Sequence, residues 1–194
     1  ILVPEFIKDL EHGAAKKIYS TMEKPDIRKS PAPRYDLADV NLYGTLLLQF
    51  SRGCPFSCEF CDIAELFGRV PRLKSPAQFI RELDCVFSTG YRGPIFLVDD
   101  NFIGHKNEVV NLLREVKQWQ EEKDFPFSFF TSTSIDLAAE NGILDLMVDC
   151  GFYMVFLGLE TPDENTLYAI NKGQNIKHNM YDSIKIIHSR GLEV

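Results

Sequence analysis

Apolar runs of strand length alternate with helical patterns from residue 45 to the end of the chain. The predicted strands are TLLLQF, PIFLVDD, FSFFTST and YMVFLGLE, and LEV at residues 192–194 begins a fifth. Strands that are apolar almost throughout are typical of parallel sheets whose two faces are both covered. The pattern therefore predicts an α/β fold with a parallel sheet built from βα units.

The segments between the predicted strands carry helix signals. In the first of them, Ser75 suits the N-cap, Pro76 suits the first helical position, and Gln78 completes a pattern similar to a capping box. Gly90 is placed to end this helix. These signals predict a helix that begins at residue 76 and ends shortly before residue 90.

Ligands of such folds bind at the carboxyl ends of the parallel strands. In this chain those ends are followed by the loops SRGCPFSCEFCDI, DDNFIGH, TSTSID and GLETPDEN. Three of the five cysteines lie in the first of these loops. The topology alone thus predicts that these cysteines lie on the functional face.

The three clustered cysteines are Cys54, Cys58 and Cys61, with the spacing C-x3-C-x2-C. Thiolates bind zinc and iron–sulfur clusters, but structural zinc sites and electron-transfer clusters both prefer four ligands. Three ligands leave one metal position open for a substrate. A zinc site completed by a distant ligand and three unconnected thiols stay open as alternatives. We expect Cys85 and Cys150 to be small core residues.

The cysteine spacing, placed after the first strand of a βα repeat, resembles the radical S-adenosylmethionine (SAM) superfamily. The segments SRGCPFSCEFCDI, RVPRLKS, VDDNFIG and FLGLETP together resemble its cobalamin-binding subfamily, which contains hopanoid methylases. This resemblance implies a partial (β/α) barrel of the radical SAM type, truncated after about four strands. It also implies a [4Fe–4S] cluster on Cys54, Cys58 and Cys61, with SAM bound at the fourth iron.

The resemblance further implies roles for residues at the strand ends. Phe60 would lie near the adenine of SAM, and Glu160 would point toward the SAM site. Asp99 and Asp100 replace the family's glycine-rich motif and would hold the SAM ammonium, while Ser132 would bond the ribose. The alternatives are that the carboxylates cap helices and that the hydroxyl satisfies backbone groups.

The activity that the resemblance implies is the reductive cleavage of SAM to a 5′-deoxyadenosyl radical, which abstracts hydrogen from an unactivated carbon. Membership of the subfamily would make the reaction a cobalamin-dependent methylation of a small or lipid-like substrate. An iron–sulfur binding or electron-transfer module without SAM chemistry stays open as the alternative.

Residues 1–44 differ from the rest, with Pro25, Pro31 and Pro33 among charged residues after a segment that suits a short helix. We expect them to be an extended linker from an upstream, cobalamin-binding domain that this chain lacks. Residues 45–194 would be the radical SAM core, incomplete at its C-terminus. Its last strand would offer an unpaired edge for self-association.

The net charge and the composition limit which classes of binding partner and which cellular compartment we expect. A net charge of −7 without a basic stripe argues against nucleic acid as a partner. No apolar run reaches the length of a membrane span, and the cysteine pattern indicates a reducing cytoplasm. Arg69, Arg72 and Lys74 form a local basic loop. This loop would bind a carboxylate of the substrate or SAM, or dock an acidic reductant such as flavodoxin, unless it is simply solvated.

Overall fold

The structure, a computed structural model, describes residues 2–194. The strands in this range are β1 (Leu46–Leu48), β2 (Ser51–Arg52), β3 (Arg72–Leu73), β4 (Gly93–Leu97), β5 (Phe127–Thr133) and β6 (Phe152–Leu157). Four of them form the main sheet, which is parallel and has the spatial order β1-β4-β5-β6. Strands β2 and β3 pair separately as a short antiparallel ladder beside the main sheet.

Helices connect the parallel strands, so the predicted α/β fold with a parallel sheet is confirmed. They are α1 (Leu2–Glu11), α2 (Ile63–Phe67), α3 (Pro76–Ser88), α4 (Lys106–Glu122), α5 (Asn141–Asp149), α6 (Glu164–Ala169), α7 (Gly173–Ile176) and α8 (Met180–Ser189). Helix α3 begins as predicted, because the Ser75 side chain accepts a hydrogen bond from the backbone N–H of Gln78. None of the helices in residues 2–194 has the length and apolarity needed to cross a membrane.

The two faces of the sheet differ in how completely they are covered. Ile95 in β4 and Phe129 in β5 are fully buried in the core, which the long helices share. Side chains of the alternate residues point to the other face. There Phe96 and Phe130 stack with ring centroids 4.8 Å apart, and Phe156 is 48 % exposed. This partly open face continues to the carboxyl ends of the strands, where the loops that carry the predicted site residues begin.

The chain after β6 begins a fifth parallel strand, as the sequence predicts. Glu193 forms a parallel bridge with Met154, and its backbone N–H donates to the carbonyl of Tyr153 at 2.8 Å. The Glu193 carbonyl in turn accepts from the N–H of Val155 at 2.8 Å. These bonds extend the parallel order of the sheet beyond β6.

The N-terminal segment packs against the core and is less extended than a free linker. After α1 it forms three single turns of 3-10 helix, and its side chains Ile27 and Val40 are buried. The Lys24 ammonium donates to two backbone carbonyls of α2 at 2.9 Å. The prolines restrict this segment, but its apolar side chains attach it to the domain because their burial is favourable.

Candidate functional site

The cysteine loop leaves β2 through a tight turn at Gly53. This glycine has a φ of 107°, and a β-carbon in its place would lie 2.8 Å from the carbonyl oxygen of Gly68. The Cys54 N–H donates to that same carbonyl at 3.3 Å. The Cys61 N–H donates to the carbonyl of Cys58 at 3.1 Å, which forms the second turn of the loop. Close backbone packing therefore sets where the three thiols lie.

Asp99 lies beneath this loop and fixes the chain that leads into it. Its carboxylate accepts from the N–H of Phe50 at 2.9 Å, and from the N–H and hydroxyl of Ser51 at 2.6 and 2.5 Å. The side chain is 3 % exposed. Burial raises the pKa of Asp99 to about 6, against the opposing effect of the hydrogen bonds from Ser51 and Phe50. The structure thus places Asp99 outside the lining of the site.

The three cysteines line one cavity of about 360 Å³ at the carboxyl ends of the strands. Among the other residues predicted from the sequence, Phe60, Asp100 and Ser132 also line it. Asp100 additionally accepts the N–H of Gly53 at 2.7 Å, so its carboxylate connects the end of β4 to the cysteine loop. The cavity thus collects thiols, an aromatic ring, a carboxylate and a hydroxyl from separate strand ends.

The donor set of this cavity fits an iron–sulfur cluster. All three cysteines are free and half-buried. Within residues 2–194, no group of three or more His, Cys, Asp and Glu side chains is arranged around a single metal ion. A cluster does not require such convergence, because each thiolate binds a different iron atom. Three separated thiols facing one cavity are therefore compatible with a cluster that keeps one iron open.

The environments of the thiols differ. Burial raises the pKa of the Cys54 thiol, while hydrogen bonds from the Phe56 backbone and the Asn101 side chain act in the opposite direction. Cys150 is fully buried in the core, donates to the carbonyl of Leu113, and has its pKa raised to about 12 by burial. Cys85 lies half-buried in α3. The structure thus places Cys85 and Cys150 in helical segments, outside the cavity.

Glu160 lies beside the cavity and has an unusual backbone. Its φ of 64° is in the left-handed region, which costs on the order of 1–2 kcal/mol for a residue with a β-carbon. Its carboxylate forms a 2.5 Å ion pair with Lys172, which lines the cavity and is 7 % exposed. The Lys172 ammonium also lies 5.4 Å from the centroid of the Phe60 ring. Lys172 thus joins the two loops that carry Phe60 and Glu160.

Sequence reasoning missed the segment NKGQN at residues 171–175, which connects two of the functional loops. The Asn171 amide donates to the carbonyl and hydroxyl of Ser57 at 2.9 Å. The Asn175 amide donates to the carbonyls of Gly158 and Leu159 at 2.9 and 3.1 Å. The only available signal was a run of polar residues shortly after the GLETPDEN loop.

Two of the three cations in the predicted basic loop, Arg72 and Lys74, form contacts within the domain. Lys74 pairs with the buried Glu82, with both carboxylate oxygens 2.6 Å from the ammonium. Arg72 donates to the backbone carbonyls of Pro25 and Phe67. Of the three cations, Arg69 alone is exposed in the part of the chain that the structure describes. Docking of an acidic reductant on this loop stays a prediction.

Comparison with models of known protein families shows which family the chain belongs to. A model of the radical SAM superfamily matches residues 48–194. The chain belongs to the radical SAM superfamily. The matched range contains the four strand ends and all three cysteines of the cavity, so the predicted radical SAM resemblance is confirmed.

Two curated relatives are named as a methyltransferase and a methylase. An uncharacterized methyltransferase of Synechocystis sp. is 50% identical over 99% of this chain and 36% of its own length. The hopanoid C-2 methylase of Rhodopseudomonas palustris is 36% identical over 100% of this chain and 37% of its own length. The chain therefore spans about a third of the length of these relatives.

A solved structure supports the radical SAM fold. The cobalamin-dependent SAM radical enzyme OxsB, with aqua-cobalamin bound, aligns with a TM-score of 0.78 at 19% identity. The alignment covers 98% of this chain and 31% of OxsB. It includes the N-terminal segment as well as the sheet, since it leaves almost none of the chain unmatched.

Proposed function

We propose that this chain is the SAM-cleaving core of a cobalamin-dependent radical SAM methyltransferase. The observation that carries the proposal is the single cavity that collects three cysteines with Phe60 and Asp100 at the strand ends. The methyltransferase names of the Synechocystis and Rhodopseudomonas relatives support methyl transfer as the reaction.

In this proposal Cys54, Cys58 and Cys61 hold a [4Fe–4S] cluster through their thiolates. When bound together, the cluster and SAM would supply a 5′-deoxyadenosyl radical that can abstract a hydrogen atom from an unactivated carbon and become 5′-deoxyadenosine. The chain itself positions the thiols, through the Gly53 turn and the Asp100 contact with it.

The cavity offers groups that complement SAM. Asp100 supplies a negative charge for the ammonium group, and its position in the lining favours it over Asp99 for this role. Ser132 supplies a hydroxyl for the ribose, and the Phe60 ring supplies an apolar face for the adenine. Glu160 acts indirectly in this proposal, by holding the Lys172 ammonium at the edge of the cavity.

Cobalamin is assigned to a part of the protein outside residues 45–194. This assignment is supported by the length of the relatives and by OxsB, a protein of similar fold that has aqua-cobalamin bound. We propose that residues 1–44 connect the radical SAM core to that part. The substrate class is a small or lipid-like molecule, as the hopanoid methylase name indicates for that relative.

The test is anaerobic reconstitution of the full protein followed by an assay for SAM cleavage. We expect bound iron and sulfide, visible cluster absorption, and reductant-dependent formation of methionine and 5′-deoxyadenosine. Cys54→Ala, Cys58→Ala and Cys61→Ala should each lose the cluster, whereas the matched control Cys85→Ala should keep it. Retention in Cys58→Ala with loss in Cys85→Ala would contradict the assignment.

The alternative function is an iron–sulfur module that transfers electrons without SAM chemistry. The same preparation distinguishes the two, because this alternative requires a cluster that binds no SAM. Calorimetric titration of the loaded protein with SAM decides between them. A loaded, reducible cluster without measurable SAM binding would favour the electron-transfer module.

A further inference from the structure

The side chain of Gln174 approaches one thiol of the cavity from outside the cysteine loop. Its amide nitrogen Nε2 lies 3.4 Å from the Sγ atom of Cys58. This distance suits a hydrogen bond to sulfur, whose atomic radius exceeds that of oxygen. The side chain is 6 % exposed and lines the same cavity. A thiolate only accepts hydrogen bonds, so the amide nitrogen is the end of Gln174 that suits it.

The position of Gln174 is fixed on both sides. Asn171, three residues earlier, is bonded to Ser57 in the cysteine loop. Asn175, the next residue, is bonded to the carbonyls of Gly158 and Leu159 after β6. The segment 171–175 therefore joins both loops, and the Gln174 donor is oriented before any ligand binds. A preoriented donor loses little entropy when it forms its bond.

We infer that Gln174 is a positioning residue that donates a hydrogen bond to the Cys58 thiolate and raises the reduction potential of the bound cluster. The inference rests on the proposed function, because it requires a cluster on Cys58. Hydrogen bonds to cluster sulfurs help to set the potential, and a donor stabilises the more negative, reduced state. The segment 171–175 would thus help the cluster to accept the electron that SAM cleavage needs.

The test compares Gln174→Leu and Gln174→Glu with the wild type in the full, anaerobically reconstituted protein. Leucine removes the donor at similar volume, and glutamate keeps the shape but offers a charged acceptor. The matched control is Gln118→Leu, which changes an exposed glutamine of α4 whose amide donates to Glu122 on the same helix. Iron content and visible absorption establish loading, and a redox titration followed by electron paramagnetic resonance gives the midpoint potential.

We expect both Gln174 variants to load a cluster and to be reduced less readily, with an equilibrium constant for one-electron reduction about tenfold lower. A tenfold change corresponds to a potential about 59 mV more negative. The Gln118→Leu control should keep the wild-type potential. If Gln174→Leu does not fold, the potential of Gln174→Glu decides.

Three outcomes would count against the inference in distinguishable ways. A loaded cluster with the wild-type potential in both Gln174 variants would overturn the role of Gln174 alone. Failure of both variants to load, beside a wild type that loads, would show a role in assembly and also overturn it. A wild type that binds no cluster would contradict the proposed function, and this inference with it.

Discussion

The Asp100 carboxylate accepts a 2.7 Å hydrogen bond from the backbone N–H of Gly53. This bond ties the end of β4 to the first turn of the cysteine loop. One residue earlier, Asp99 ties the chain before that turn through Phe50 and Ser51. The two adjacent carboxylates thus both bind backbone N–H groups that precede Cys54 and help to position the cysteine loop. Only Asp100 also lines the cavity.

The first prediction concerns the turn at Gly53. Gly53→Ala places a β-carbon 2.8 Å from the Gly68 carbonyl in a backbone conformation that suits glycine. We expect a cost on the order of 1–3 kcal/mol in the free energy of unfolding and a displaced Cys54, with most cluster binding lost. Iron content after reconstitution measures this loss. Gly142→Ala is the matched control, because a β-carbon there would have no neighbouring atom within 4 Å; equal iron loss in both would contradict the prediction.

The second prediction concerns the charge of Asp100. In Asp100→Asn the side-chain oxygen can still accept the N–H of Gly53, so the loop contact is kept while the negative charge is lost. A charge-assisted bond contributes about 1.5–3 kcal/mol, so we expect SAM to bind about tenfold more weakly or worse. Calorimetry on cluster-loaded protein gives the affinity. The exposed Asp182→Asn serves as control, and wild-type affinity in Asp100→Asn would refute the role of Asp100.

The third prediction concerns the dependence of stability on pH. The folded state raises the pKa of Asp99 to about 6 from its usual 3.8, because burial disfavours the charged form. Between these two values the folded state binds more protons than the unfolded state. The Asp99 contribution to the free energy of unfolding is therefore largest below pH 3.8, decreases as the pH rises, and is lost above about 6.

Asp99→Asn should remove this dependence. Its amide nitrogen cannot accept a hydrogen bond, so at least one of the donors of Phe50 and Ser51 loses its partner, at a cost of about 1–3 kcal/mol. Denaturant unfolding of both proteins across this pH range gives the difference in the free energy of unfolding. A difference that grows between the two pKa values, as the pH rises, would show the opposite sign and contradict the assignment.

The fourth prediction concerns the ion pair of Lys74 and Glu82. Glu82 is 1 % exposed at its side chain, so Lys74→Met leaves a buried carboxylate without its partner. We expect a loss of about 3–5 kcal/mol in the free energy of unfolding, and recovery of most of it in the double variant Lys74→Met/Glu82→Leu. Denaturant unfolding of the single and double variants measures both. A loss below about 1 kcal/mol in Lys74→Met would mean that the pair is not buried in solution.

The order of the parallel strands and of the helices α3, α4, α5 and α8 could be predicted from the sequence, because apolar runs and capping residues are local signals. The short antiparallel pair of β2 and β3 was not predicted, because a two-residue strand has no periodic pattern of its own. The spacing of Cys54, Cys58 and Cys61 likewise predicts from the sequence alone that they share one site. The structure places all three in one cavity, and their role as cluster ligands stays a proposal. The radical SAM resemblance rests on these local patterns. The family match over residues 48–194 confirms it.

Only the tertiary structure separated Asp99 from Asp100. Both follow β4, and a strand directs neighbouring side chains to opposite sides, but the sequence does not reveal which side faces the cavity. Only the structure paired Lys74 with Glu82, where the sequence indicated a basic loop. Likewise, the contact of Asn171 with Ser57 spans 114 residues of chain. Contacts of this kind depend on how loops from distant strands meet, and no local pattern of residues encodes that geometry.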